Sequence, residues 1–549
     1  MTTPHPPADY AWSVRGWASE GPGAHPGEPE LWVYADRFSY QAGDHVDLHV
    51  HTTAERYDLE IVRDGARPRT VAVHRGLRGA AHPTPPNAYE IGCGWPVALT
   101  VEVADDWDSG MYLVLIRTEH AGRAHEREGF FVVRAAVPAA RIALVHTTGT
   151  LLAYNDWGGA NHYRGLPDGH LDDVPAPVVS ARRPVARGML RKPEGAPRNV
   201  HTDMPAPGWV PRHPPYEWAR TAGYSRHHAD AFWATYERPF TVWAENNGIR
   251  LDHLTQHDLH DDVAALEGYA CAVLVGHDEY WTWEMRDAVD RFTESGGSLA
   301  RFAGNFVWQT RWDPRTRRQT CYKDPRLDPL YGTAEQDRVT TAWDWSPIAR
   351  PPGESLGLSG LMGGYNRYGG TTPRSTGGYT VYRPHHWALS GTDLYYGDTF
   401  GGAPVCVAAF ELDGADYTFR GGLPYPTGED GAPDTLEIIA MTPAVNGGED
   451  RWQGRVPIGA PEGELAGLVE AMYPDGPPPH LRERRHGAGM IATFTRGAGE
   501  VFNAGSTEWV SGLVHHDPYT ERITHNVLER FAGRARYADR VAHPLAERM

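Results

Sequence analysis

Three short stretches of the chain gather side chains that can do chemistry. Gly276, His277, Asp278, Glu279, Tyr280 and Trp281 follow directly on the apolar run CAVLV at 271–275. Residues 152–163, LAYNDWGGANHY, bring Tyr154, Asn155, Asp156, Asn161, His162 and Tyr163 close together. Gly304, Asn305, Phe306, Val307 and Trp308 follow a third apolar run, with Gly304 able to let the backbone come close to a neighbour. The donors are carboxylate, phenol, imidazole and amide, with no thiolate. Such a set suits a hard, oxygen-liking metal or a general acid and base pair better than a soft zinc-thiolate site. The turn after Val275 is where a nucleophile elbow would carry Ser or Cys, and it holds Asp278 and Glu279 instead. A Ser-His-Asp or Cys-His mechanism therefore lacks its nucleophile there. Each residue also has a plainer reading. Glu279 could cap the helix expected from about Trp283, His277 could be a satisfied buried polar group, and Tyr154 an amphipathic loop aromatic.

The elements that must position these stretches are legible as pattern. Runs such as Ile142 to Val145 and Cys271 to Val275 are apolar without alternation, as in parallel strands covered on both faces. Helices are expected at 237–247 and 284–294, where Met285, Ala288, Val289 and Phe292 share one face before Gly296 and Gly297. A strand follows at 299–303. The βαβαβ order implies a doubly wound α/β layer, in which ligands bind beyond the carboxyl ends of the strands, where the three stretches lie. A hairpin at 490–503 and a last helix opened by Asp517 and Pro518 and closed by Gly533 complete the expected layer.

Before position 138 the grammar differs. Val46, Leu48 and Val50, then Leu99, Val101 and Val103 alternate with polar residues, and Tyr112, Val114 and Ile116 keep the same period of two, the pattern of an antiparallel β-sandwich that collects no catalytic residue types and reads as a packing or assembly module. The resulting division is an extended arm at 1–28, a β-sandwich domain at 29–137 and an α/β domain at 138–549. Within the last, residues 311–487 are dense in Gly, Pro, Trp and Tyr and read as a large irregular or β-rich insertion that could roof the active face.

Composition excludes several classes. A net charge of −18 repels a phosphate backbone, so no nucleic-acid partner is expected. The start, MTTPHPPADY, carries neither a basic nor an apolar leader segment, and no apolar run approaches the ~20 residues of a membrane span, so a cytoplasmic protein without a membrane partner is expected. Cys93, Cys271, Cys321 and Cys406 are scattered without a C-x-x-C pair and read as reduced and structural.

The runs YNDWGG at 154–159, LTQHDL at 254–259, HDEYW at 277–281, GNFVW at 304–308 and FELD at 410–413 resemble those of the N,N-dimethylformamidase large (beta) subunit and its relatives, and the resemblance extends over nearly the whole chain. It implies a glutamine-amidotransferase-like α/β domain holding one iron ion through tyrosine and glutamate oxygens, beside a histidine and a second glutamate. Glu279 resembles the carboxylate ligand, Tyr154 one phenolate ligand, His277 the histidine and Glu411 the second acid. The stretch 168–191, where the other tyrosine ligand would be sought, contains no tyrosine, and Tyr163 can substitute from the loop of Tyr154.

The expected site thus has Tyr154, Tyr163 and Glu279 on the metal, His277, Glu411 and Asn305 as catalytic groups, and Trp157, Tyr280 and Trp308 as aromatic walls for a small substrate. Hard anionic ligands favour Fe(III), which lowers the pKa of a bound water from ~16 toward neutrality; the expected reaction is cleavage of a formamide-type C–N bond. Two alternatives stand beside it: zinc on one carboxylate and one or two histidines, and a catalytically silent domain that binds a small molecule or a glycan. A homo-oligomer and a small partner subunit are further expectations.

Overall fold

The computed structural model describes residues 20–165, 174–200, 214–365, 377–445, 472–482 and 486–533. Most of the arm expected at 1–28, and part of the tyrosine-free stretch, lie outside them.

Toward the N-terminus, strands Leu31–Ala35, His45–Thr52 and Val97–Glu102 form one antiparallel sheet. A second sheet runs in the order Ser39–Tyr40, Arg123–Val133, Gly110–His120, Arg56–Asp64, Arg69–Arg78, antiparallel except for the short first strand. Val46, Leu48 and Val50 from the first sheet share a core with Tyr112, Val114 and Ile116 from the second, as their period-two spacing predicts, with Leu99 packed at its margin. The other face of Gly110–His120 is covered too. Met111, Leu113 and Leu115 join a cluster that contains Val145, Leu151 and Trp157 from beyond position 138. Alternation fades in Met111 to Ile116 because both faces of the strand are buried.

The larger sheet has eleven strands, nine of them on its main path. Leu251–Thr255, Ile142–His146, Cys271–His277, Ser298–Gly304 and Gly499–Asn503 are parallel neighbours in that order. His486–Arg496, Glu437–Val445, Gly364–Tyr365 and Glu411–Gly414 then extend the sheet antiparallel. The continuous apolar runs are double-sided. Ala143, Val145, Ala272 and Leu274 enter one cluster, while Ile142, Leu144, Val273 and Val275 enter the one behind it.

Helices Glu237–Asn246 and Trp283–Glu294 fall where the spacing predicts them. The hairpin pairs His486–Arg496 with Gly499–Asn503. The last helix, Pro518–Ala532, is capped by Asp517, whose side chain accepts from the Thr520 backbone, and ends at Gly533 with φ +62°. The stretch 311–487 is less separate than its composition suggests, because Glu411–Gly414 and Glu437–Val445 are built into the main sheet. Its strands are short or bulged, as at Ile438 to Ala440, which hides their period. All four cysteines are free and buried. No helix among the described residues is long and apolar enough to cross a membrane.

Candidate active site

The site begins where the strand Cys271–His277 ends. Gly276 has φ +82°, and a Cβ there would lie 2.2 Å from Cβ and Cγ of Tyr236, so neither the conformation nor the space admits a side chain. The turn this permits sends His277, Asp278 and Glu279 to different partners. Asp278 turns to the Arg301 guanidinium, which also holds Asp413 and lies 3.1 Å from Asn503 Oδ1. Glu279 turns the other way.

Four donors meet the Glu279 carboxylate. The Tyr154 hydroxyl donates to Oε2 at 2.9 Å, the Tyr163 hydroxyl reaches both oxygens at 2.9 and 2.7 Å, and Trp308 Nε1 donates to Oε1 at 2.6 Å. His277 Nε2 lies 3.3 Å from Oε2. Tyr154 is the last residue of the helix Thr148–Tyr154 and Tyr163 returns from the following loop, so the two rings stand 4.5 Å apart over one carboxylate. The Tyr280 hydroxyl donates to the Tyr163 oxygen at 2.7 Å, and Lys323 Nζ sits 3.4 Å above the Tyr163 ring centroid.

Glu279 does not cap the helix after it. Thr282 does, its hydroxyl accepting from the Met285 backbone at 3.2 Å. The reading of Glu279 as a helix cap is therefore excluded.

His277 is fixed from both ends. Nδ1 lies 2.7 Å from the Asp230 carbonyl, which can only accept, so Nδ1 carries a proton. Nε2 faces Glu411 Oε2 at 3.0 Å and the Asn305 amide at 3.1 Å. Asn305 has φ +66°, a conformation asparagine tolerates better than most residues, and its backbone N–H donates to Asp413 Oδ1 at 2.6 Å. The preceding Gly304 is forced, since a Cβ there would meet the Thr507 nitrogen at 2.6 Å and the Glu411 carbonyl at 2.9 Å. That close approach brings the strand carrying Glu411 to the end of the parallel layer.

Burial opposes charge on His277, but the Glu411 and Glu279 carboxylates outweigh it and hold its pKa well above the usual histidine range. Burial would raise Glu279, yet the His277 contact, followed by Lys323 and the Tyr163 hydroxyl, brings its carboxyl below the usual range. Burial, and then the charge of Glu279, push the Tyr154 and Tyr163 phenols well above theirs. At neutral pH the pocket thus holds a charged carboxylate surrounded by neutral phenols that a nearby cation would help to ionise.

The structure brings Tyr154, Tyr163, His277, Glu279, Tyr280, Asn305, Trp308 and Glu411 together, and Trp157 stands apart. Its indole packs edge-on against Trp32, in the strand Leu31–Ala35, and Trp95, just before the strand Val97–Glu102, with ring centroids 5.7 and 5.8 Å away, because the loop turns away from the cluster once past Tyr154. Tyr280 and Trp308 present polar atoms to the cluster rather than bare apolar walls. Sequence reasoning missed Asp230 and Lys323, which carry no spacing signal, Arg301, a buried charge within an apolar-looking strand, and the role of Asp413 as its partner. Among the described residues no group of three or more His, Cys, Asp or Glu is arranged to hold a metal ion. The donor set at Glu279 owes two of its members to tyrosine.

The family model described as N,N-dimethylformamidase beta subunit-like, C-terminal, matches residues 53–521. The chain is 24% identical over 341 residues to the N,N-dimethylformamidase beta subunit of Paracoccus aminophilus, and 25% identical over the same length to that of Alcaligenes sp. Each alignment covers 55% of this chain and 38% of the relative, well under two thirds of the relative's length. The extent of the family match settles the kinship: the chain belongs to the N,N-dimethylformamidase beta subunit-like family.

Proposed function

We propose that this chain hydrolyses a small amide of the formamide type at the Glu279 site, with iron held by Tyr154, Tyr163 and Glu279. One observation carries the reading: two tyrosine hydroxyls, one at a helix end and one in the loop that follows it, converge within 2.9 Å of one buried carboxylate. Such an oxygen-only set suits a hard ion better than zinc, whose protein sites usually include nitrogen or sulfur. When bound, iron would supply Lewis acidity to a carbonyl and to water. The relatives' name, N,N-dimethylformamidase, gives the amide class.

The chain's own residues supply the proton chemistry. Water oxygen adds to the amide carbon and gives up one proton, the C–N bond breaks, and the departing nitrogen must receive a proton because an amide anion is a very poor leaving group; the proton that water loses replaces the one that nitrogen takes. His277 and Glu411, 3.0 Å apart, hold a proton between them in the right place for that transfer. Asp230 keeps the imidazole in one orientation through Nδ1, and the Asn305 amide beside Nε2 orients the polar group brought against it. Phe410, edge-on to the His277 ring at 5.6 Å, supplies an apolar surface for a small, weakly polar substrate.

In this reading the N-terminal pair of sheets is the β-sandwich and the parallel half of the large sheet is the amidotransferase-like layer. The relatives are named as beta subunits, so a small partner subunit and a homo-oligomeric assembly belong to the same proposal, as does a cytoplasmic location. The test is release of dimethylamine from N,N-dimethylformamide, alongside a panel of other small amides. Turnover by the wild type that Glu279→Gln abolishes without unfolding supports the reading. Tight binding of a panel member with no turnover by either protein would favour a silent binding domain instead.

A further inference from the structure

Glu279 can serve two phenols only if Tyr154 and Tyr163 keep a fixed separation, although a loop of eight residues lies between them. We propose that Asn161 is the positioning residue that sets this separation; its chemical meaning rests on the proposed iron site.

Asn161 is fully buried, and its side chain bonds to the backbone of both tyrosines at once. Nδ2 donates to the Tyr154 carbonyl at 2.8 Å, while Oδ1 accepts from the Tyr163 N–H at 2.9 Å and the Arg164 N–H at 3.0 Å. The Tyr154 carbonyl belongs to the last turn of its helix, where carbonyls lack intrahelical partners. Asn161 therefore couples the end of that helix directly to the residue that carries the second phenol. Its own backbone is held as well, N–H to the Arg164 carbonyl at 3.0 Å and C=O from the Ala176 N–H at 2.8 Å.

Elsewhere the loop is held by Arg183. Its guanidinium donates to the carbonyls of Asn155, Trp157 and Ala160, which fixes the turn away from the cluster but touches neither tyrosine. Among the described residues Asn161 alone bonds to both tyrosine backbones, beside the bond from the His162 N–H to the Ala153 carbonyl at 3.1 Å, and the task needs an amide. An aspartate has the same shape and keeps the acceptor, but sets a carboxylate oxygen against the Tyr154 carbonyl. Alanine removes both functions.

The experiment compares crystal structures, iron affinity and visible spectra of the wild type, Asn161→Asp and Asn161→Ala, each exposed to ferric or ferrous iron. We expect the Tyr163 hydroxyl to leave Glu279 in both variants, and iron affinity to fall at least ~10-fold with loss or displacement of the phenolate-to-iron band, the order seen when a support for a metal ligand is removed. A purely structural role would lower the melting temperature and leave the band where it is. Variants that keep both hydroxyls on Glu279 overturn the proposal, and so does a wild-type band with wild-type affinity. If Asn161→Asp fails to fold, Asn161→Ala, which buries no new charge, decides. A wild type that takes up no iron, in which Asn161→Ala still detaches Tyr163, leaves the positioning role standing and removes the iron.

Discussion

Asp278 and Glu279 are adjacent, both buried, and surrounded in opposite ways. Asp278 faces a guanidinium that also holds Asp413 and the Asn503 amide, all four side chains fully or almost fully buried. Glu279 faces two phenols, an indole and an imidazole. A fixed positive charge locks the first carboxylate into the frame of the sheet. The second is held by hydrogen-bond donors, two of which can give up a proton when a cation arrives. A buried carboxylate serves chemistry or architecture according to what faces it, and under the proposed function one peptide bond separates the two.

Substitutions on either side of that bond should therefore read out differently. The largest effect is expected for Glu279→Gln, which keeps the shape and removes the charge: turnover of a formamide should fall ~100-fold or more, the order that a positioned charged group contributes, while stability moves by about 1 kcal/mol. Activity near the wild-type level would dissolve the distinction. Arg301→Met should do the reverse, costing roughly 3–5 kcal/mol in denaturant unfolding, because Asp278 and Asp413 are left buried without their counter-charge. A loss under ~1 kcal/mol would show that the network is not structural. Trp308→Phe removes one donor to Glu279 and keeps the ring; turnover or iron affinity should drop 10- to 100-fold by the usual effect of losing a ligand's outer partner. The smallest effect is expected at Thr282→Ala, about 1 kcal/mol of helix stability from the lost cap, with turnover unchanged. Lost turnover there would mean that helix and site are not separable.

The sequence showed the parallel strands and their helices because each obeys one rule over its whole length: continuous apolar residues for strands covered on both faces, a 3.6-residue repeat with caps for helices. Those rules placed the turn at 276–281 at a strand end, and therefore placed His277 and Glu279. The remainder of the site depends on close approaches that no period records. Gly304 signalled that something comes near, but not that it is the backbone of Glu411 and Thr507. Lys323 reaches Tyr163 from a stretch without repeating pattern, and Asp230 contributes a carbonyl, which sequence cannot single out. Trp157 was read into the pocket from its neighbours in the chain, whereas the chain turns it toward Trp32 and Trp95, where its large apolar surface has the more complete burial.

That Tyr154, Tyr163 and Glu279 form one metal pocket is most directly tested by anomalous diffraction at the iron absorption edge on crystals of iron-loaded, active protein. The account predicts a single strong peak among the two tyrosine oxygens and the Glu279 carboxylate, absent from Glu279→Gln. Active crystals with no peak there, or with iron bound at another place, would contradict it.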